Sequence, residues 1–298
     1  SCLQHDFSRR FDEQLALLML QQGADPFGSS QTGKSPPIVL AIRLGWQRLC
    51  KALLATGVDA NSADSAGMTA LHFAAQLGRQ ALLQELILHG ANPEQRANNG
   101  QAPLGLAYMH ADAACIDWLS WPIWPLPIRK LHGADLPNAV FVKDLPAVKK
   151  LLLLDLGVNA LDQKGSTALI HACGQGQADM VAFLLNHGAD TTIPARSGAT
   201  AVWAAISQSH ADVLERLLIH GADANQAVAG YPPLNLACMG GSTEQIALLL
   251  EHGADRTSVD GNGQNALHAC AGFLTSDKAR LDAVIIVDMV LRAGVAIN

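Results

Sequence analysis

Apolar residues enter this chain in short bursts separated by polar, glycine-marked turns, and the bursts are of two kinds. One kind opens just after a glycine, as in GMTALHFAA at Gly67, GSTALIHAC at Gly165, GATAVWAAI at Gly198 and GQNALHACA at Gly263. The other is Leu-rich and closes on a glycine: LLATGVD at Gly57, ILHGAN at Gly90, LLNHGAD at Gly188, LLIHGAD at Gly221 and LLEHGAD at Gly253. LQQGAD at Gly23 repeats the second kind near the start. Both predict short helices. Thr69 and Thr167 stand where a hydroxyl can accept from a free N–H at a helix start. Ala70, Ala168, Ala201, Ala266, Pro103 and Pro233 suit the first helical turn. The closing glycines supply the left-handed residue that ends a second helix. A pair of such helices has an apolar face that it cannot bury alone, so neighbouring pairs must stack.

The turn glycines set the period. Gly33, Gly67, Gly100, Gly133, Gly165, Gly198, Gly230 and Gly263 follow one another at intervals of 34, 33, 33, 32, 33, 32 and 33 residues. Period and text together resemble the ankyrin repeat: a turn Gly, a Thr-Pro-Leu-His type helix start, and a second helix ending in Gly-Ala-Asp. The best single match runs from Asp64 to Asn92, and the resemblance extends from about Phe11 to Asn298. It implies an all-α ankyrin-repeat solenoid of stacked helix-turn-helix units with short turn tips. The expected layout is one solenoid over 1–298. Residues 1–27 form an N-terminal half-repeat cap with a helix at 12–22, 28–263 carry the repeats, and 264–298 form a C-terminal repeat. That last repeat is expected to hold an insertion near Leu274 to Asp282, because Gly263 to Gly294 is 31 residues where Gly230 to Gly253 is 23.

Composition narrows the function. The chain is Leu- and Ala-heavy, 15% charged and of net charge −6, with no basic run. Nucleic acid, which needs clustered Lys and Arg, is therefore not an expected partner. No apolar stretch approaches the roughly 18–20 residues that span a bilayer, so no membrane partner is expected either. The chain opens at Ser1 without Met, which leaves the compartment open between the cytoplasm and, if a leader was trimmed, the periplasm or exterior.

No nucleophile elbow, zinc-protease helix or phosphate loop is present, so no enzyme activity is expected. Asp260-Gly261-Asn262-Gly263 lacks the later acidic ligand of a calcium loop and is the ordinary repeat turn. Cys173, Cys238 and Cys270 fall on first-helix core positions, and Cys50 and Cys115 on second-helix core positions. They read as buried, unpaired thiols, because stacked helices lie roughly 8–10 Å apart and a disulfide needs Cα atoms about 4.4–6.8 Å apart. Cys2 lies outside the repeat frame. Without a Cys-x-x-Cys pair no metal or cofactor is expected. His89, His187, His220 and His252 precede four of the closing glycines, a helix-end position that suits a partly charged ring.

The resemblance implies a partner protein held along a concave face lined by turn tips and the exposed side of each first helix. Lys34, Met68, Gln101 and Tyr231 follow turn glycines, Arg196 precedes one, and Arg43, Gln76, Met109 and Met239 lie at the exposed ends of first helices. Met68 and Tyr231 stand out, because apolar or aromatic side chains on a turn tip favour contact. The largest departure from the pattern is the segment from Trp118 to Pro127. By register Trp121 aligns with the outward-facing Asn186 and Glu251, Ile123 takes the place of the closing Gly, and Pro122 must stop the helix. A Trp carries about 150–250 Å² of surface, worth roughly 4–6 kcal/mol at most if buried. Trp121 and Trp124 are thus either a local hydrophobic plug or an exposed anchor. The expected function is a non-catalytic protein-binding scaffold, monomeric when free, whose partner is another protein, an enzyme among the options. The alternative is an immunity-type, self-protection inhibitor covering an enzyme's active site, in keeping with a Lys-poor, Leu/Ala/Gln-rich composition of bacterial character.

Overall fold

The computed structural model describes residues 2–26, 35–271 and 277–295. Gly33, Lys34, the side chain of Cys2 and residues 274–276 of the expected insertion lie outside the described residues. The described chain is helical, with only isolated bridges at three turn tips. It divides into two compact units, residues 1–132 and 133–298.

In the first unit α1 (Cys2–Gln21) precedes three helix pairs: α2 (Pro37–Leu44) with α3 (Gln47–Ala55), α4 (Ala70–Gln76) with α5 (Gln80–Leu88), and α6 (Pro103–Met109) with α7 (Ala113–Leu119). First helices pack on first helices, α2 on α4 on α6, and second on second, α3 on α5 on α7. Helix α1 packs on α3 in the place of a missing second helix. Its Glu13 carboxylate accepts from the N–H groups of Arg48 (2.8 Å) and Leu49 (3.1 Å). That contact caps α3, whose own N-cap residue Trp46 makes no side-chain cap.

The second unit holds five pairs: α8 (Asp135–Phe141) with α9 (Leu145–Leu153), α10 (Ala168–Gly174) with α11 (Ala178–Asn186), α12 (Ala201–Ser207) with α13 (Ala211–Ile219), α14 (Pro233–Gly240) with α15 (Thr243–Glu251), and α16 (Ala266–Ala271) with α17 (Asp277–Arg292). Helix α17 has 16 residues against 9 in α15, so the extra length of the last repeat lies partly in its second helix.

Ala74, Ala75, Ala172, Ala205 and Ala237 are buried along the first helices, where small side chains let the stacked helices approach. Leu83, Leu86, Leu184, Leu214 and Leu217 fill the space between second helices. Cys50, Cys115, Cys173, Cys238 and Cys270 are buried and unpaired, as their register predicts. Burial pushes the Cys50 thiol up to about 12 and that of Cys115 to about 11, so neither is a ready nucleophile.

Helix starts follow the predicted chemistry. Thr167 and Thr200 accept from the N–H groups of Ile170 and Trp203, each at 3.2 Å. At Thr69 the cap is reciprocal. The Thr69 N–H donates to His72 Nδ1 (3.1 Å), which leaves His72 Nε2 to donate to the Gln101 carbonyl of the next repeat (3.2 Å). Burial holds the His72 pKa below the ordinary imidazole value, in keeping with this neutral bridging role.

The repeat-end histidines do more than face a helix dipole. His89, His187 and His220 each donate Nδ1–H to the carbonyl four residues back, at 3.0, 2.8 and 2.8 Å, and so add a side-chain donor to one of the last carbonyls of the helix.

Candidate functional site

The turn tips are built to be rigid. One carboxylate oxygen of Asp64 accepts from the N–H groups of Ala66 (2.9 Å) and Met68 (3.0 Å). Asp162 does the same for Lys164 and Ser166, and Asp260 for Asn262 and Gln264, all at 2.8 Å. Burial works against the Asp162 carboxylate, but the Ser166 N–H and the His171 ring, 2.8 Å away, outweigh it and hold its pKa below the usual value.

Neighbouring tips are tied together as well. The Asn98 N–H donates to Ala66 O (2.9 Å) and its side-chain amide to Ser65 O (3.1 Å). In the second unit the Arg196 N–H donates to Lys164 O (3.3 Å). Side chains on such tips are presented with little left to order on binding.

The predicted positions fall on this framework as follows. In the first unit Arg43 and Gln76 are exposed at the ends of α2 and α4, with the Arg43 guanidinium 5.5 Å from the Phe73 ring centre. Met68 and Gln101 are half-buried on their tips. The Gln101 amide reaches Met109 Sδ at 3.7 Å, which brings a tip and a helix end together, and Met109 itself is 70% exposed. In the second unit Arg196 is exposed on its tip, and Tyr231 and Met239 line one cleft.

Sequence reasoning missed several residues at the helix ends of each unit. Leu44, Leu77 and Tyr108 in the first unit, and Phe141 and Val142 in the second, are exposed apolar side chains at the C-terminal ends of first helices, the position that Met109 and Met239 also hold. Tyr108 was hidden by register. Its equivalents Ile42, Ala75, Val140, Cys173, Ile206 and Cys238 are buried, whereas Tyr108 is 62% exposed. Phe141 meets the His171 ring edge-on at 5.7 Å.

The tryptophan segment corrects the register argument. Helix α7 ends at Leu119 with an extended Ser120, so Trp121 lies beyond the helix and not on its outward face. The cause is local: the carbonyl of Trp118 would take the N–H of residue 122, and Pro122 has none. The Trp121 indole supplies it instead, Nε1 to Trp118 O at 2.8 Å. Trp118 and Trp124 are buried, Trp124 at 6% exposure. Trp121 is half-buried, its ring centre 5.9 Å from that of Trp124. The chain then returns across the end of α5. Leu131 N–H donates to Leu88 O (2.8 Å), and a Cβ on Gly90 would strike the Arg129 backbone. Ile123, in the place of the closing glycine, is exposed.

Among the described residues no group of three or more His, Cys, Asp or Glu side chains is arranged to hold a metal ion. No described helix is long and apolar enough to cross a membrane.

The profile of the family "Ankyrin repeats (3 copies)" matches residues 7–97, 39–120 and 136–228, and that of "Ankyrin repeats (many copies)" matches 236–281. The chain belongs to the ankyrin-repeat family. The matches to this ankyrin-repeat chain stop at 120 and resume at 136, so most of the tryptophan segment falls in a gap of the family pattern. Among curated proteins, the chain is 28% identical over 258 residues to "Ankyrin repeat protein nuc-2" of Neurospora crassa, covering 83% of this chain and 24% of that protein. It is 29% identical over 188 residues to human "SH3 and multiple ankyrin repeat domains protein 2", covering 62% and 10%. It is 36% identical over 90 residues to mouse "2-5A-dependent ribonuclease", covering 29% and 12%. The chain thus spans no more than about a quarter of the length of these relatives. Ankyrin repeats serve protein–protein interaction and are typically non-enzymatic. The match to the ribonuclease covers only 12% of that enzyme.

Proposed function

We propose that the chain is a non-catalytic scaffold that binds a partner protein through turn tips and first-helix ends, Met68, Gln101, Arg196 and Tyr231 among the tips and Arg43, Gln76, Met109 and Met239 among the ends. The observation that carries this reading is the run of exposed apolar residues at first-helix ends, Leu44, Leu77, Tyr108 and Met109 in one unit and Phe141, Val142 and Met239 in the other. Water-exposed apolar groups recurring at one structural position, beside tips held rigid by hydrogen bonds, are what a protein surface needs to be covered by a partner. On the same reading the tryptophan segment is a plug. Trp121 and Trp124 act through the fold, since Trp124 is already buried and Trp121 already has its hydrogen bond.

A photo-crosslinking residue placed at Met109, Met239 or, as control, the exposed second-helix residue Glu215 tests the scaffold reading in lysate of the source organism. Crosslinks to one protein from positions 109 and 239 but not 215 are the expected result. Crosslinks from 215 alone would overturn it. If the captured protein is an enzyme that the purified chain inhibits, the inhibitor mode follows.

A further inference from the structure

In α3 and α5 the residues eight and four places before the closing glycine are apolar and buried: Leu49 and Leu53, then Leu82 and Leu86. In α1 the same places hold Leu15 and Met19, which are 50% and 56% exposed, and Leu18 between them is exposed as well. The other end of the chain shows where the cover comes from. Helix α17, with no described repeat after it, still buries these two positions, Ile286 and Val290, and exposes Leu291 instead. The cover is therefore a pair's own first helix or the repeat before it, and among the described residues α1 has neither. Helix α2 is open on the matching side. The side chain at the Leu40 position reaches toward the preceding first helix: its equivalent Phe73 in α4 lies 5.5 Å from the Arg43 guanidinium of α2, and His171 in α10 meets Phe141 of α8. Leu40 is 37% exposed, whereas its equivalent Leu106 is buried. Leu15, Met19 and Leu40 border the place of a first helix that would lie on α1 and beside α2.

We propose that this seat takes a short, alanine-faced helix of a partner protein, which completes the half repeat in trans. The inference does not rest on the tip and helix-end surface described above. The seat continues a packing already made twice in this unit, α2 on α4 and α4 on α6. The residues just upstream do not fold back to fill it. Helices α3, α5 and α7 each begin after a turn from a first helix that ends at Leu44, Gln76 or Met109. Helix α1 has no such turn and runs unbroken from Cys2 to Gln21, 20 residues against 9 in α3 and α5. Gln47 opens α3, but its equivalent Glu13 lies inside α1. The chemistry of the occupant follows from the stack. Ala41, Ala74, Ala75 and Ala107 are the buried small residues that let first helices approach one another, so the entering face is alanine-rich. Leu15, Leu18, Met19 and Leu40 offer a charge no partner, so that face is uncharged.

The probe is a synthetic peptide of residues 66–78 of this chain, which carries the first helix α4. It is lactam-stapled, because so short a helix is marginal alone, and titrated into the intact chain while Leu and Met methyl signals are followed by NMR. The control peptide carries Leu71→Asp and Ala75→Asp, at two positions that are buried when α4 is in the stack. Saturable shifts at Leu15, Met19 and Leu40 with the first peptide, and none with the control, are expected. The double variant Leu15→Gln/Met19→Gln should keep its Tm, since both side chains already face water, and should bind the peptide at least about tenfold more weakly. No saturable shift, equal shifts with the control peptide, or unchanged affinity in the folded double variant would sink the helix seat. So would a monomer–dimer equilibrium in sedimentation that the double variant abolishes, because it would give the seat to a second copy of the chain.

Discussion

Two ways of ending a second helix stand side by side in this molecule. In the second unit α11 closes with His187 donating to the Phe183 carbonyl, Gly188 turning left-handed, and Asn159 of the preceding repeat spanning the turn, its Oδ1 accepting from Asp190 N–H at 2.8 Å. Asn225 repeats the clamp against Asp255 N–H (2.6 Å) and Gly253 O (3.1 Å), and in the first unit Asn61 does so against Asn92 N–H (2.7 Å) and Gly90 O (3.0 Å). At α7 none of these parts is present. A proline removes the N–H, an indole replaces the imidazole, and an aromatic pair with returning backbone replaces the glycine turn. The comparison teaches that what a repeat end must conserve is the satisfaction of its last carbonyls and the covering of its apolar end. The residues that do so can be exchanged wholesale.

The comparison breaks most visibly at Trp124. Trp124→Ala removes a buried ring and should cost about 3–5 kcal/mol in urea unfolding followed by circular dichroism. An unchanged midpoint would return the segment to the role of an exposed anchor. Gly90 and Gly188 sharpen the contrast next. Both are left-handed, at φ 88 and 80, but a Cβ at Gly188 meets nothing within 4 Å, whereas at Gly90 it strikes the Arg129 backbone. Gly188→Ala should cost only the left-handed strain of about 1–2 kcal/mol, and Gly90→Ala a further 1–3 kcal/mol or so of overpacking. Equal costs would mean that the tryptophan segment does not rest on α5. Below these, Asn225→Ala deletes both arms of one clamp and should cost about 1–2 kcal/mol.

Most of the fold was legible because it is periodic and local. Glycine spacing, threonine caps and cysteine register each depend on residues a few positions apart, and an error in one repeat is corrected by the next. The clamps were not read, since an asparagine bonding about thirty residues away leaves no local mark. Their spacing was nonetheless available: Asn61 and Asn225 stand four residues after Gly57 and Gly221. Asn159 hid because its turn residue is Asp155, left-handed at φ 63, where the pattern led one to look for glycine. Of the candidate site, the tips and the helix ends at Arg43, Gln76, Met109 and Met239 were found by register, whereas Leu44, Leu77, Tyr108, Phe141 and Val142 were not. The cleft lined by Tyr231 and Met239 was not, because it forms between α14 and the next tip, about thirty residues apart in sequence.

The smallest effect is the most specific. Trp121→Phe keeps an aromatic ring beside Trp124 but removes the pyrrole part of the indole and with it the N–H, leaving the Trp118 carbonyl without its donor at a cost of about 1 kcal/mol for that bond. The argument that this donor stands in for the missing N–H of Pro122 makes a second demand. In a Pro122→Ala background the helix can run on and bring the N–H of residue 122 to the same carbonyl, so the hydrogen-bond part of the Trp121→Phe cost should vanish. A double-mutant cycle reads that difference directly as the coupling between the two positions. A cost that stays near 1 kcal/mol in both backgrounds would mean that the indole serves some other group, and that proline and tryptophan share a segment without sharing a function.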